Sequence, residues 1–126
     1  MTSEPVAQPD GLLITDDLFF SSKVTGTAQS LGLKVLVKTP AAALELLNDS
    51  DSAISFVMID LGTPDLNVQQ FLEAVQQSPR PKVIAYNAHV HTESLNAARD
   101  AGCDDVLSRG QFNSQLPELL TQFVNH

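Results

Sequence analysis

Three acidic residues stand where apolar segments of this sequence end. Asp16 and Asp17 directly follow the segment LLIT, and Asp60 follows the apolar run that begins at Ile54. If these carboxylates share one site, they repel each other and raise one another's pKa, and a bound cation resolves the conflict. Oxygen ligands with room for water favour Mg²⁺. A carboxylate beside Mg²⁺ can attack phosphorus and form an aspartyl phosphate, so phosphoryl chemistry is open to a site of this kind.

Alternating strand-like and helix-like segments can bring these acids together. The apolar runs predict strands at 12–15, 34–39, 53–60, 82–87 and 104–108. Spacings of three and four and candidate caps predict helices at 18–31, 40–47, 68–77, 92–101 and 113–125. Short strands without clean alternation indicate a parallel sheet covered on both faces. The predicted fold is therefore α/β, a (βα)5 doubly wound parallel sheet of five strands in the order 2-1-3-4-5.

In that order the first and third strands are neighbours, so Asp16, Asp17 and Asp60 would meet in one crevice. Ligands of such sheets bind beyond the carboxyl ends of the strands, near the switch in strand order. The strand order thus predicts an acidic pocket rather than three unrelated surface carboxylates.

The composition is that of one domain, with residues 1–10 predicted as a flexible tail and 11–126 as the folded unit. The net charge is −8 with only seven scattered Lys and Arg residues, which argues against binding nucleic acid or an anionic membrane surface. No apolar run is long enough to span a membrane, and the N-terminus lacks a signal-peptide pattern. A cytoplasmic location is expected, with the single Cys103 as a small core residue.

These acids and their neighbours resemble the receiver domain of bacterial response regulators. The resemblance rests on the pair Asp16-Asp17, on Asp60 with Pro64 four residues later, and on the segment DAGCDDVL at 100–107. It covers about residues 11–125, nearly the whole chain. It implies the flavodoxin-like receiver fold and a role in two-component phosphorelay signalling.

The resemblance also implies roles for single residues. Asp60 would accept a phosphoryl group from a histidine kinase or phosphotransfer protein, and Asp16, Asp17, Asp60 and the backbone carbonyl of Gly62 would hold Mg²⁺. A downstream protein would read the change on the face built from strand four, helix four, strand five and helix five, and a homodimer is compatible with this scheme. The protein would not be an enzyme beyond self-phosphorylation and dephosphorylation at Asp60.

Four positions depart from the family pattern. Asn87 stands where a Ser or Thr hydroxyl usually contacts the phosphoryl group, and Val106 replaces the aromatic switch residue of strand five. Arg109 replaces a Lys, exchanging a compact ammonium for a planar fork. Gly110 stands where a cis-proline is usual, which predicts a trans bond and a rebuilt loop with Gln111 as an extra residue.

Three functions remain open at this stage. Asp60 is a phosphoacceptor with an altered response, or the chain is a degenerate receiver that acts as a phosphorylation-independent protein-interaction module. A remote alternative is a phosphatase with an aspartate nucleophile, although its general acid would fall at Gly62, which has no side chain.

Several other residues fit ordinary structural roles. His89 and His91 have no evident third metal ligand and are predicted to lie in a solvated loop. Asp65 is predicted to belong to a turn. Tyr86 and Phe112 are predicted to pack in the core.

Overall fold

The computed structural model describes residues 9–49, 53–75 and 79–124. Most of the predicted tail, the predicted helical residues 76–77 and the last two residues, 125–126, of which 125 was predicted to be helical, lie outside these ranges. The chain runs β1 (Gly11–Ile14), α1 (Leu18–Ser30), β2 (Val35–Lys38), α2 (Pro40–Leu47), β3 (Phe56–Asp60), α3 (Val68–Ala74), β4 (Lys82–Asn87), α4 (Thr92–Ala101), β5 (Asp105–Ser108) and α5 (Arg109–Thr121). Within the described ranges, no helix has the length and apolar character that crossing a membrane requires.

All five strands are parallel and lie in the order β2-β1-β3-β4-β5, which confirms the predicted sheet. In the register of β1 and β3, Ile14 lies opposite Ile59. The residues that follow, Thr15 and Asp60, therefore emerge side by side at the carboxyl edge of the sheet. The switch in strand order lies at this edge, as expected for a binding crevice.

Two apolar layers cover the sheet. One layer joins sheet residues to α1 and α5 and includes Phe20, Val24, Phe56, Tyr86 and Phe112. The other joins the opposite sheet face to α2, α3 and α4 and includes Ile14, Ala43, Ile59, Phe71 and Ala98. Successive residues of a strand point to opposite faces of the sheet, and both faces are covered here. Side chains on both faces of a central strand are therefore buried, which explains the unbroken apolar runs.

Most helix ends follow the residues that the sequence offers as caps. The Thr39 hydroxyl accepts from the N–H of Ala42, and Pro40 takes the first helical position of α2, as predicted. Gly102 ends α4 with φ of 99°, in the left-handed region that glycine enters without a steric cost. α4 starts at Thr92 after His91, whose side chain makes no capping bond.

The predicted start of the last helix at 113 is wrong, because α5 begins at Arg109. The Ser108 hydroxyl accepts from the N–H of Gln111, and the Gln111 side chain accepts from the N–H of Ser108, which together form a capping box. Arg109 and Gly110 occupy the first turn, so the rebuilt loop predicted at Gly110 is absent and Gln111 is a capping residue. α5 also continues through Pro117.

Candidate functional site

Asp60 ends the central strand β3 and is only 7% exposed. Its Oδ2 accepts a hydrogen bond of 2.7 Å from the hydroxyl of Thr15. Its Oδ1 accepts one of 2.9 Å from the backbone N–H of Gly62. The carboxylate is thus fixed at the crevice end of the strand, and each of its oxygens has a donor from the chain itself.

Thr15 is a site residue that the sequence reasoning missed. Its Oγ1 donates to Asp60 and also accepts from the N–H of Asp17, at 3.1 Å. The hydroxyl therefore links the carboxyl end of β1 to the carboxyl end of β3, next to Asp17 and Asp60. Thr15 could have been found from the predicted strand order, because strands one and three are adjacent and the last residue of LLIT then lies beside Asp60.

Asp17 is held from two sides. Its Oδ1 accepts from the N–H of Phe20 at 3.0 Å and so caps α1, while its Oδ2 pairs with the guanidinium of Arg109. The N–H of Phe20 and, after it, the cation of Arg109 hold the pKa of Asp17 below its ordinary value, although partial desolvation opposes them. The Asp17 carboxylate is consequently ionised and already matched with a positive charge.

Asp16 is the residue before Asp17 in the chain. It is exposed and borders a groove that is also lined by Thr15, Thr39, Pro40 and Asp65. Asp65 has φ of 62° in an exposed turn, in line with the turn predicted there. Asp16 therefore faces the loops before α2 and α3, whereas Asp17 faces α5.

Asn87 borders the site from β4. A Cβ on Gly62 would lie 3.3 Å from Asp60 Oδ1 and 3.9 Å from Asn87 Oδ1, so the three residues adjoin. The Asn87 amide donates to the Ser94 hydroxyl at 2.8 Å, and its Oδ1 accepts from the N–H of Ala88. Both ends of the side chain are thus engaged by the β4–α4 segment. Val106 packs into the apolar layer on the α4 side of the sheet.

The other residues named in the sequence analysis lie in the core or in the β4–α4 loop. Tyr86 and Phe112 are fully buried and stack with ring centroids 4.2 Å apart, so their predicted core role is confirmed. Burial raises the pKa of the half-buried Cys103 thiol to about 11, which leaves it uncharged near neutral pH. His89 and His91 are exposed in the β4–α4 loop.

Tyr86 also places a hydroxyl beneath the acidic site. Its Oη is buried and has no hydrogen-bond partner among the described residues. Burial and then the nearby Asp60 carboxylate raise the pKa of the phenol far above its ordinary value. The nearby Thr15 hydroxyl opposes this rise of the pKa, although its position does not complete a hydrogen bond with Tyr86.

Replacing Tyr86 by phenylalanine is expected to raise the free energy of unfolding by about 1 kcal/mol, because the change removes an unpaired buried hydroxyl and keeps the ring. Urea denaturation of the two proteins measures the difference. Tyr86→Leu is the control, since it removes the ring stacking as well and should destabilise. A loss of stability in Tyr86→Phe would show that the hydroxyl has a partner in solution.

The acidic side chains at this site are potential oxygen ligands for Mg²⁺. Carboxylate oxygens suit this ion in kind. However, the four oxygens of Asp60 and Asp17 each accept one hydrogen bond from the chain, and because each oxygen keeps a further lone pair, these bonds alone do not exclude the ion. Within residues 9–49, 53–75 and 79–124, no group of three or more histidine, cysteine, aspartate or glutamate side chains is placed to hold a metal ion. The arrangement does not fit the ion as it stands for two reasons: this ligand group is missing in the described ranges, and the Arg109 guanidinium already lies as a positive charge beside Asp17.

Comparison with known proteins identifies the fold. No family model and no curated protein matches the chain. Among solved structures, the receiver domain of NtrX from Brucella abortus matches with TM-score 0.71 and 22% identity, over 91% of this chain and 98% of that one. The signal receiver domain of an HD-domain-containing protein from Pseudomonas fluorescens Pf-5 matches with TM-score 0.75 and 17% identity, over 98% and 91%.

The receiver domain of a sensor histidine kinase from Pseudomonas aeruginosa PAO1 matches with TM-score 0.74 and 20% identity, over 94% of this chain and 98% of that one. That protein has a magnesium ion coordinated in its active-site cleft. These similarities span nearly the whole chain, and they confirm the flavodoxin-like receiver fold that the sequence predicted.

Proposed function

We propose that this chain is a signalling module of the response-regulator type that acts through protein–protein contacts while Asp60 stays unphosphorylated. One observation carries the proposal. The four carboxylate oxygens of Asp60 and Asp17 each accept a hydrogen bond from the chain, from the Thr15 hydroxyl, Arg109 and two backbone N–H groups. The chain itself thus fixes both carboxylates, and Arg109 supplies a positive charge beside Asp17 without a metal ion.

The residues around Asp60 support the same reading. Transfer of a phosphoryl group to Asp60 Oδ2 would require the loss of the Thr15 hydrogen bond at a 7% exposed carboxylate. The Asn87 amide is bonded to Ser94, and Val106 has neither a hydroxyl nor a ring to follow a phosphoryl group. In the proposed module, the face built from β4, α4, β5 and α5 contacts the downstream protein in a single conformation.

A second candidate is the phosphoacceptor function, and the position of Asp60 favours it. Asp60 lies at the carboxyl end of a central parallel strand, where ligands of such sheets bind. A histidine kinase or phosphotransfer protein would supply the phosphoryl group. Asp16, Asp17, Asp60 and the Gly62 carbonyl would then have to rearrange around Mg²⁺.

Incubation with Mg²⁺ and acetyl phosphate, followed by intact-mass measurement, separates the two candidates. We expect the wild-type mass to stay unchanged, as in the matched control Asp60→Asn. A gain of one phosphoryl group in the wild type alone would overturn the proposal and establish Asp60 as a phosphoacceptor. Steady release of phosphate from several organic phosphate esters would instead support the remote phosphatase alternative, for which Gly62 supplies no general acid.

A further inference from the structure

The Arg109 side chain places a permanent positive charge next to the acidic site. It lies in the first turn of α5, and its guanidinium reaches across to Asp17 at the start of α1. We infer that this guanidinium takes the place of a divalent metal ion, so that the acidic site is charge-matched and keeps its shape without metal.

Three contacts restrain the Arg109 side chain in this position. The first is the ion pair with Asp17. The second is the ring of Phe20, whose centroid lies 4.9 Å from the guanidinium carbon, within the range of cation–π attraction. The third is the backbone, which the Ser108–Gln111 capping box fixes at the start of α5. The charge is therefore presented to Asp17 by a pre-organised side chain.

The platform under Arg109 is rigid. Phe20 is 8% exposed and packs against Tyr86 and Phe112, with ring centroids 5.6 and 5.9 Å away. Tyr86 and Phe112 themselves stack in the core. An arginine suits such a platform better than a lysine, because its planar group can pair with a carboxylate and lie over a ring at the same time.

The chemistry of the competition favours the tethered cation. A metal ion bound to Asp17 must either displace the guanidinium or lie next to this permanently charged group. Mg²⁺ also gives up bound water reluctantly. Removing the guanidinium abolishes both the competition and the repulsion. For a single positive charge near Mg²⁺ at the dielectric constant of water, the lost repulsion corresponds to about a tenfold gain in Mg²⁺ affinity.

Calorimetric titration with MgCl₂ tests the inference on the wild type, Arg109→Gln and Arg99→Gln. Arg99 is the matched control, because it is exposed on α4 and bonds Asn96 away from the site. We expect saturable Mg²⁺ binding to be about tenfold tighter in Arg109→Gln than in the other two proteins. Equal affinities in all three, or tight binding to the wild type, would overturn the inference.

Thermal unfolding with and without Mg²⁺ gives a second readout, and Arg109→Lys guards against a misfolded glutamine variant. The midpoint should rise with Mg²⁺ in Arg109→Gln and stay constant in the wild type. Arg109→Lys keeps the charge without the fork, so its response should lie between the two; a response equal to the wild type's in both variants would contradict the inference. The inference concerns the same site as the proposed function but fails separately: phosphoryl uptake refutes the function, and the metal titrations alone refute the tethered cation.

Discussion

Replacing Phe112 by alanine is expected to lower the free energy of unfolding by about 3–5 kcal/mol. Phe112 is fully buried on α5, stacks on Tyr86 at 4.2 Å and contacts the ring of Phe20. The truncation removes the central ring of this group and leaves a cavity that rigid neighbours cannot fill. Since small domains have about 5–15 kcal/mol in total, the variant should unfold at a much lower urea concentration.

Phe19→Ala is the matched control for this prediction. Phe19 is 90% exposed at the start of α1, next to the buried Phe20. The same chemical change there is expected to alter stability by no more than about 0.5 kcal/mol. Similar losses in the two variants would contradict the assignment of Phe112 to the core.

The sheet could be predicted from the sequence because its central strands β1, β3 and β4 are buried on both faces. Burial on both faces leaves an unbroken apolar run, as in the segment from Phe56 to Ile59, and the turn residues between runs mark the crossovers. The start of α5 was missed for a local reason. Gly110 suggests a loop, because glycine has a weak helix propensity. Ser108 and Gln111 nevertheless form a capping box, and its two hydrogen bonds outweigh that propensity and start the helix at Arg109.

The site could be predicted only as far as backbone positions determine it. The strand order places Asp17 and Asp60 at one edge, but it does not determine which donors their oxygens meet. The pairing of Asp17 with Arg109 spans 92 residues, and that of Thr15 with Asp60 spans 45. Such contacts depend on side-chain rotamers and on the exact start of α5, and no periodicity in the sequence encodes either.

These long-range contacts also give the acidic pocket a structural role. The residues of this pocket also tie four elements together in two pairs, since Thr15 joins the ends of β1 and β3 and Arg109 joins α5 to α1. Retained acids in a receiver fold are therefore compatible with a structural role, and their presence alone does not establish phosphoryl transfer. The mass measurement and the Mg²⁺ titration address these two roles independently.

Gly11 is the other position at which a small change should have a large effect. It lies opposite Phe56 in the β1–β3 register, and a Cβ there would lie 2.3 Å from a ring carbon of Phe56. That ring is fully buried and stacked on Phe123 with centroids 4.2 Å apart, so a shift of the ring disturbs this stacking. Gly11→Ala is expected to cost about 1–3 kcal/mol of unfolding free energy, measured by urea denaturation.

A double-mutant cycle shows whether this cost arises from the ring. In the Phe56→Leu background the ring edge is gone, so Gly11→Ala should cost less there than in the wild type, with a coupling of about 0.5–3 kcal/mol. Gly26→Ala is the control for glycine replacement as such. Gly26 lies within α1 with nothing within 4 Å of an added Cβ, and the change should stabilise by about 0.5–1 kcal/mol. Additive costs in the cycle would mean that the close approach of Phe56 does not limit the residue at position 11.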